Sequence, residues 1–318
     1  MPRTLPRWAP NRGPPDVMST AAAASTPPIE SVVRVLSRDG AGADLHLLRP
    51  PGVPRDFILW LPALGVAACH YLPLARALAA HGIAVALHEW RGIGSSDRRA
   101  GRAANWAYRE LLLDDLPASL AAAQVAFPGA RCWLGGHSLG GQIATLYAAL
   151  HPQAPEGLLL VASGAPYWRM FRSPWAIALF ATLAQGLAAL LGHFPGRRLG
   201  FGGNEARGVI ADWARSCRRG RYSAAGMGED FEALLARLRV PVRSLRLDAD
   251  WLGPQASLQW LLAKMTLAPR ELIAISAADQ DGVSADHFAW MKSPQTVAAR
   301  LAAALTAVDQ DERCGALG

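Results

Sequence analysis

Residues 131–147 read RCWLGGHSLGGQIATLY, and one serine stands among four glycines. Gly136-His137-Ser138-Leu139-Gly140 matches G-x-S-x-G, with an apolar strand pattern before it and a helical pattern after it. Glycine costs conformational entropy, so this crowding marks backbone that must pass close to other backbone. A serine in such a sharp turn takes unfavourable dihedrals, and its hydroxyl is pushed out toward solvent. The start of the following helix favours negative charge developing beside it. The chemistry expected of Ser138 is nucleophilic attack on a carbonyl.

A serine hydroxyl needs a base, and the base needs an orienting carboxylate. Around a nucleophile on this kind of turn the chain order is Ser, Asp/Glu, His. Three histidines follow Ser138. His151 lies at the far end of the helix that begins at the serine. His193 falls in a long interruption of the strand–helix rhythm. His287, in SADHFAW, follows the last strand and is the expected base. His137 points away from its neighbour and is read as a packing residue of the turn. For the acid, PVRSLRLDADWLGP offers Asp250, further into the loop, with Asp248 as the alternative. Asp279, Asp281 and Asp286 read as members of a solvated, turn-forming loop. Two backbone amides must meet the oxyanion. One is that of Leu139, after the nucleophile. The other comes from LPALGVAACHY after strand 57–62, with Leu64 first and Ala63 left open.

Those positions need strands that end together. SVVRVL and DLHLLR flank Asp39-Gly40, a hairpin signal. FILWLP, IAVALHEW, RCWLGG and GLLLVAS are continuous apolar runs, as expected of strands buried on both faces. Helical patterns separate them, at YLPLARALAAHG, 105–127 and SLGGQIATLYAALHP. After the interruption come strand 241–248, helix 254–264, strand 271–276 and helix 294–307. Alternation of this kind implies parallel strands with right-handed crossovers. The fold class is α/β: a mostly parallel sheet of about eight strands, opened by an antiparallel hairpin and flanked by helices. The core is assigned to 29–164 and 240–308, with 165–239 inserted as a helical cap. The insertion follows a strand's C-terminal end, so it sits over the crevice where such sheets bind ligands.

The fragments LPALGV, HEWRGIGSSD, GGHSLGGQ, VASGAPYW, FPGRRLGFG, DWARSCRRGRY and DHFAW resemble the α/β-hydrolase superfamily. Within it they are similar to bacterial hydrolases near the serine aminopeptidase and monoacylglycerol-lipase-like group. The resemblance covers roughly residues 31–308. It implies a Ser138, Asp250, His287 triad and a helical cap, and it supplies no substrate. In RGIGSSD, Arg91 and the glycines read as structural.

The chain has 318 residues, is 51% hydrophobic and carries a net charge of +7. Only Lys264 and Lys292 are lysines; the remaining positive charge is scattered arginine without a basic-aromatic motif, which argues against a nucleic-acid partner. Cys69, Cys132, Cys217 and Cys314 form no CxxC and no metal-ligand spacing with histidine. No metal or organic cofactor is expected, and the compartment is expected to be cytoplasmic. Residues 1–28 and 309–318 read as tails, and Met18 is an alternative start.

Trp175 to Leu191 is apolar, but short for a bilayer at about 1.5 Å per residue. It reads as a cap helix, an apolar wall for an acyl chain, with peripheral membrane contact left open. The expected activity is a serine hydrolase acting on a lipophilic carboxylic ester. An acyltransferase, an aminopeptidase-like enzyme and a non-catalytic binding protein remain as competitors. An aspartate in place of Ser138 would instead have suggested a dehalogenase or epoxide hydrolase.

Overall fold

The computed structural model describes residues 27–315, with side chains described through 307. The expected N-terminal tail falls almost wholly outside these residues. In the sheet lie β1 (Ile29–Leu36), β2 (Gly42–Arg49), β3 (Asp56–Leu61), β4 (Ala84–Leu87), β5 (Arg131–His137) and β6 (Gly157–Val161). Two further strands, β7 (His193–Pro195) and β8 (Asn204–Ala206), pair apart from it, and β9 (Val242–Leu247) and β10 (Arg270–Ile275) rejoin it. The eight-stranded order is β1-β2-β4-β3-β5-β6-β9-β10. The first two pairings, β1 with β2 and β2 with β4, are antiparallel, and the rest are parallel. This is the α/β-hydrolase fold.

Side-chain alternation explains the continuous apolar runs. On β3, Phe57, Leu59 and Leu61 enter the core on one face, while Ile58 and Trp60 enter the core on the other. β5 divides in the same way, with Leu134 on one side and Trp133 on the other. Each such side chain contributes about 1.5–3 kcal/mol of burial, so a polar residue at any of these positions would be costly.

Three elements differ from the sequence expectation. The helix expected over 105–127 comprises Tyr108–Glu110, a π turn at Leu111–Asp115, and Leu116–Ala126. Pro117 gives the physical reason: it has no N–H to donate, and its ring crowds the preceding turn, so the backbone widens there. The final helix, Gln295–Gly315, runs beyond 307, so residues 309–315 are helical where a tail was expected. No glycine or proline interrupts it before Gly315. The inserted segment is also not purely helical. Pro174–Leu191, Arg207–Arg219 and Phe231–Arg237 are helices, but β7 and β8 form a small antiparallel pair among them. Strands of three residues are too short to leave a period-two pattern in sequence.

Candidate active site

β3, β5, β9 and β10 all run parallel, so the loops after them meet at one edge. β3 and β5 are neighbours although β4 lies between them in sequence. The chain therefore leaves the two strands in opposite directions and opens a crevice at their ends. Ser138 stands there, between β5 and the helix Leu139–Leu150. Its φ is 54° and its ψ −120°, a strained conformation for a residue with a side chain. Neighbouring groups hold it. Its N–H donates to the Val161 carbonyl at 3.1 Å, and Ser163 Oγ donates to its carbonyl at 3.0 Å. Close approach explains the flanking glycines. A Cβ at Gly140 would lie 2.1 Å from the Leu61 carbonyl oxygen, and one at Gly136 would lie 2.4 Å from backbone of Gly140.

His287 follows β10, and its Nδ1 donates to Asp250 Oδ2 at 2.8 Å. Both residues are buried. The second carboxylate oxygen, Oδ1, accepts from the amides of Leu252 at 2.9 Å and Gly253 at 2.8 Å. These bonds turn Asp250 inward and fix its face toward the imidazole. With Nδ1 committed as donor, Nε2 keeps its lone pair free for a proton. Asp248 instead pairs with Arg246 at 2.5 Å, more exposed, just past the end of β9. His151 ends the helix that starts at Ser138, and His193 lies in β7; neither lines the cavity that holds Ser138. Ser138 and His287 line that cavity together, with no hydrogen bond between them. Such contacts commonly tighten only around bound substrate.

Behind these residues lies a layer that sequence reasoning missed. The Ala63 N–H donates to Tyr71 Oη at 2.9 Å, and Tyr71 Oη lies 2.8 Å from His137 Nδ1. Burial holds His137 well below the usual histidine range, so it is neutral. Its ring centroid is 4.7 Å from that of His287. His137 thus packs as expected, but what it packs against is the candidate base. The Ala63 amide is thus committed to Tyr71, while Leu64, the other candidate donor of that loop, lines the cavity. Leu139 begins a helix, where N–H groups have no intrahelical acceptor. A lone tyrosine in ACHYLP carries no motif that would have revealed its part.

The cavity holds about 140 Å³. Ser138, His287 and Leu64 line it, and Phe171, Phe180 and Trp213 reach it from the insertion. Among the described residues, no aspartate or glutamate lines it.

Beside the site, the insertion grips the Leu64 loop. Gly203 and Gly65 touch backbone to backbone; a Cβ on Gly65 would lie 1.8 Å from the Gly203 nitrogen. Glu205 braces this contact by accepting from the Gly203 N–H at 2.8 Å. Burial pushes its carboxyl up to about 7 from 4.5, while that hydrogen bond and Arg197 oppose the rise. A carboxyl whose folded value is raised contributes stability below about pH 4.5, and that contribution is lost as pH rises through 7. Glu205→Gln removes the titration. The difference in melting temperature, variant minus wild type, is expected to grow in the variant's favour between pH 5 and pH 8, by an amount worth up to about 3 kcal/mol. A difference independent of pH would refute this, and thermal scans across that range measure it.

A family model described as serine aminopeptidase, S33, matches residues 52–212. Monoglyceride lipase from Homo sapiens is 27% identical over 134 residues, which is 42% of this chain and 43% of the lipase. Among solved structures, a thermophilic esterase from Thermogutta terrifontis superposes with a TM-score of 0.59 at 17% identity, over 87% of this chain and 99% of that one. A hydrolase from Pseudomonas aeruginosa PA01 gives 0.56 at 20% identity, over 86% and 98%. At such identities the two structures speak for the fold. The family match covers half of the chain, from the strand before the Leu64 loop, through the Ser138 turn, into the insertion, and on it the protein belongs to the serine aminopeptidase S33 family and is an α/β-hydrolase enzyme.

Proposed function

We propose that the protein is a serine hydrolase that cleaves carboxylic esters of lipophilic acyl groups. The observation that carries this reading is the His287–Asp250 hydrogen bond behind an apolar cavity that also exposes Ser138. Ser138 Oγ attacks the ester carbonyl while His287 Nε2 takes its proton. The carbonyl oxygen becomes an oxyanion, which the Leu139 and Leu64 amides meet. As the tetrahedral species collapses, His287 returns the proton to the departing alcohol and an acyl-serine remains. Water, deprotonated by the same imidazole, then releases the acid and restores Ser138. Asp250 holds the imidazole in the required tautomer throughout.

An aminopeptidase-like reading, which the family's description invites, finds less support. An enzyme that selects a free amino terminus needs an acceptor for the ammonium group, and the cavity lining lacks a carboxylate. Aromatic and aliphatic walls instead favour a hydrocarbon chain. Each methylene moved from water into them is worth about 0.8 kcal/mol, or roughly fourfold in kcat/KM. A p-nitrophenyl ester series is expected to show kcat/KM climbing from acetate through butyrate to hexanoate. Trp213→Ala, which opens the far wall, is expected to shift the optimum to longer chains. A preference for acetate that Trp213→Ala leaves unchanged would sink the lipophilic-acyl reading.

A further inference from the structure

The helix Pro174–Leu191 has two faces with different surroundings. Ala181, Ala184 and Ala188 are buried against Ile210, Ala214 and Cys217 of the insertion, and Ile177 and Phe180 line the cavity. The opposite face presents Trp175, Leu179, Leu183 and Leu190 to solvent, at 76%, 60%, 62% and 70% exposure. This spacing follows successive helical turns, so the side chains form one stripe. A solvated helix face carries charge, yet no residue of this helix is charged. Thr182, the one hydroxyl on the stripe, already donates to the Ala178 carbonyl at 2.8 Å. Among the described residues this is the one helix with the length and apolarity to cross a membrane, with a mean hydropathy of 1.7. Its buried alanines and its part in the cavity wall keep it on the body of the enzyme.

Along the chain segment that carries the helix, the charge is of one sign. From residue 157 to residue 204 the chain has four arginines, Arg169, Arg172, Arg197 and Arg198, and no acidic residue. Contacts place cations at the margins of the stripe. The Arg169 guanidinium lies over the Trp168 ring, and that ring is 4.6 Å from Trp175. Arg102 donates to the Leu190 carbonyl at 3.1 Å, and Arg218 to Gln185 Oε1 at 2.7 Å.

We propose that the outer face of Pro174–Leu191 docks the enzyme onto an anionic lipid surface. Tryptophan and leucine side chains enter the headgroup boundary, and the arginines at the margins meet lipid phosphates and carboxylates. The helix then separates lipid on one side from the cavity on the other, so an ester leaving the bilayer would pass this helix to reach the cavity that Ser138 lines. That last consequence rests on the ester-hydrolase reading; the docking itself does not.

The test is co-sedimentation of the full chain with vesicles of phosphatidylcholine alone and of phosphatidylcholine mixed with phosphatidylglycerol. Wild type is expected to bind the anionic vesicles and to weaken as salt rises. Leu179→Asp with Leu183→Asp is expected to lower that binding about a hundredfold. Arg169→Glu with Arg172→Glu keeps the apolar stripe and is expected to lower it by at least roughly twenty-fivefold, about fivefold for each positive charge removed. Both pairs are expected to hydrolyse a water-soluble short-chain ester at the wild-type rate, which also reports folding. Equal binding to both vesicle types, or undiminished binding by both variants, would overturn the proposal. So would light scattering that shows a wild-type dimer which Leu179→Asp with Leu183→Asp dissociates, together with no vesicle binding, because the stripe would then be covered by a second copy. Binding is read without turnover, so an inactive but docking protein would count against the proposed function alone.

Discussion

Ser138→Ala is expected to lower kcat on any ester substrate by about 10⁵–10⁶-fold and to abolish labelling by a fluorophosphonate probe. The size follows from what alanine removes. No other oxygen on the Ser138 turn is presented to the cavity by a helix start, and water attacking in its place would lack the fixed geometry that makes the step effectively intramolecular. Something survives, because the Leu139 and Leu64 amides still stabilise an oxyanion. Folding is expected to be unaffected: alanine adopts the same strained dihedrals, and the bonds that hold the turn come from the Ser138 backbone and from Ser163. Intact-protein mass spectrometry after probe treatment, alongside steady-state kinetics, checks both parts. Labelling of the variant, or a loss below about tenfold, would mean that another residue is the nucleophile.

Asp250→Asn is the second large effect, about 10⁴-fold in kcat. The amide is nearly isosteric, so the loss is one of proton placement. Oδ1 accepts two backbone N–H groups, from Leu252 and Gly253. An asparagine must put its oxygen there and turn its NH₂ toward His287 Nδ1. The imidazole then has to accept at Nδ1 and carry its proton on Nε2, where it cannot take the proton of Ser138. Asp248→Asn serves as the control. That carboxylate is exposed and bonded to Arg246, and its loss is expected to change kcat less than twofold. Equal losses in the two variants would remove Asp250 from its assigned role.

The parts of the candidate site that could be read from sequence are those fixed by topology. Ser138 announces itself because two flanking glycines are forced by contact with other backbone. His287 is reached by elimination, because only its loop belongs to the right sheet edge. What could not be separated were choices made within a loop. Asp250 differs from Asp248 through an inward turn made by two amides, and Leu64 differs from Ala63 because a tyrosine eight residues on captures one N–H. Neither difference has a residue pattern. Tyr71 and His137 were invisible as a pair for the same reason: their contact spans 66 residues of chain. In the fold, strands and helices with sustained periodicity were legible, whereas the π turn and the three-residue strands were too local to leave a period.

The backbone contact between Gly65 and Gly203 bears on how this enzyme can be altered. The loop after β3 that carries Leu64, the proposed oxyanion donor, meets the β7–β8 connection backbone to backbone at Gly65 and Gly203. On the proposed function, the insertion therefore supports the oxyanion loop as well as walling the cavity. Exchanging it for the corresponding segment of a relative would carry a new substrate preference, but it would also remove the surface against which the oxyanion loop is set. A functional chimera must inherit both glycines together, so the unit of exchange is the insertion plus the loop after β3, two pieces far apart in the gene.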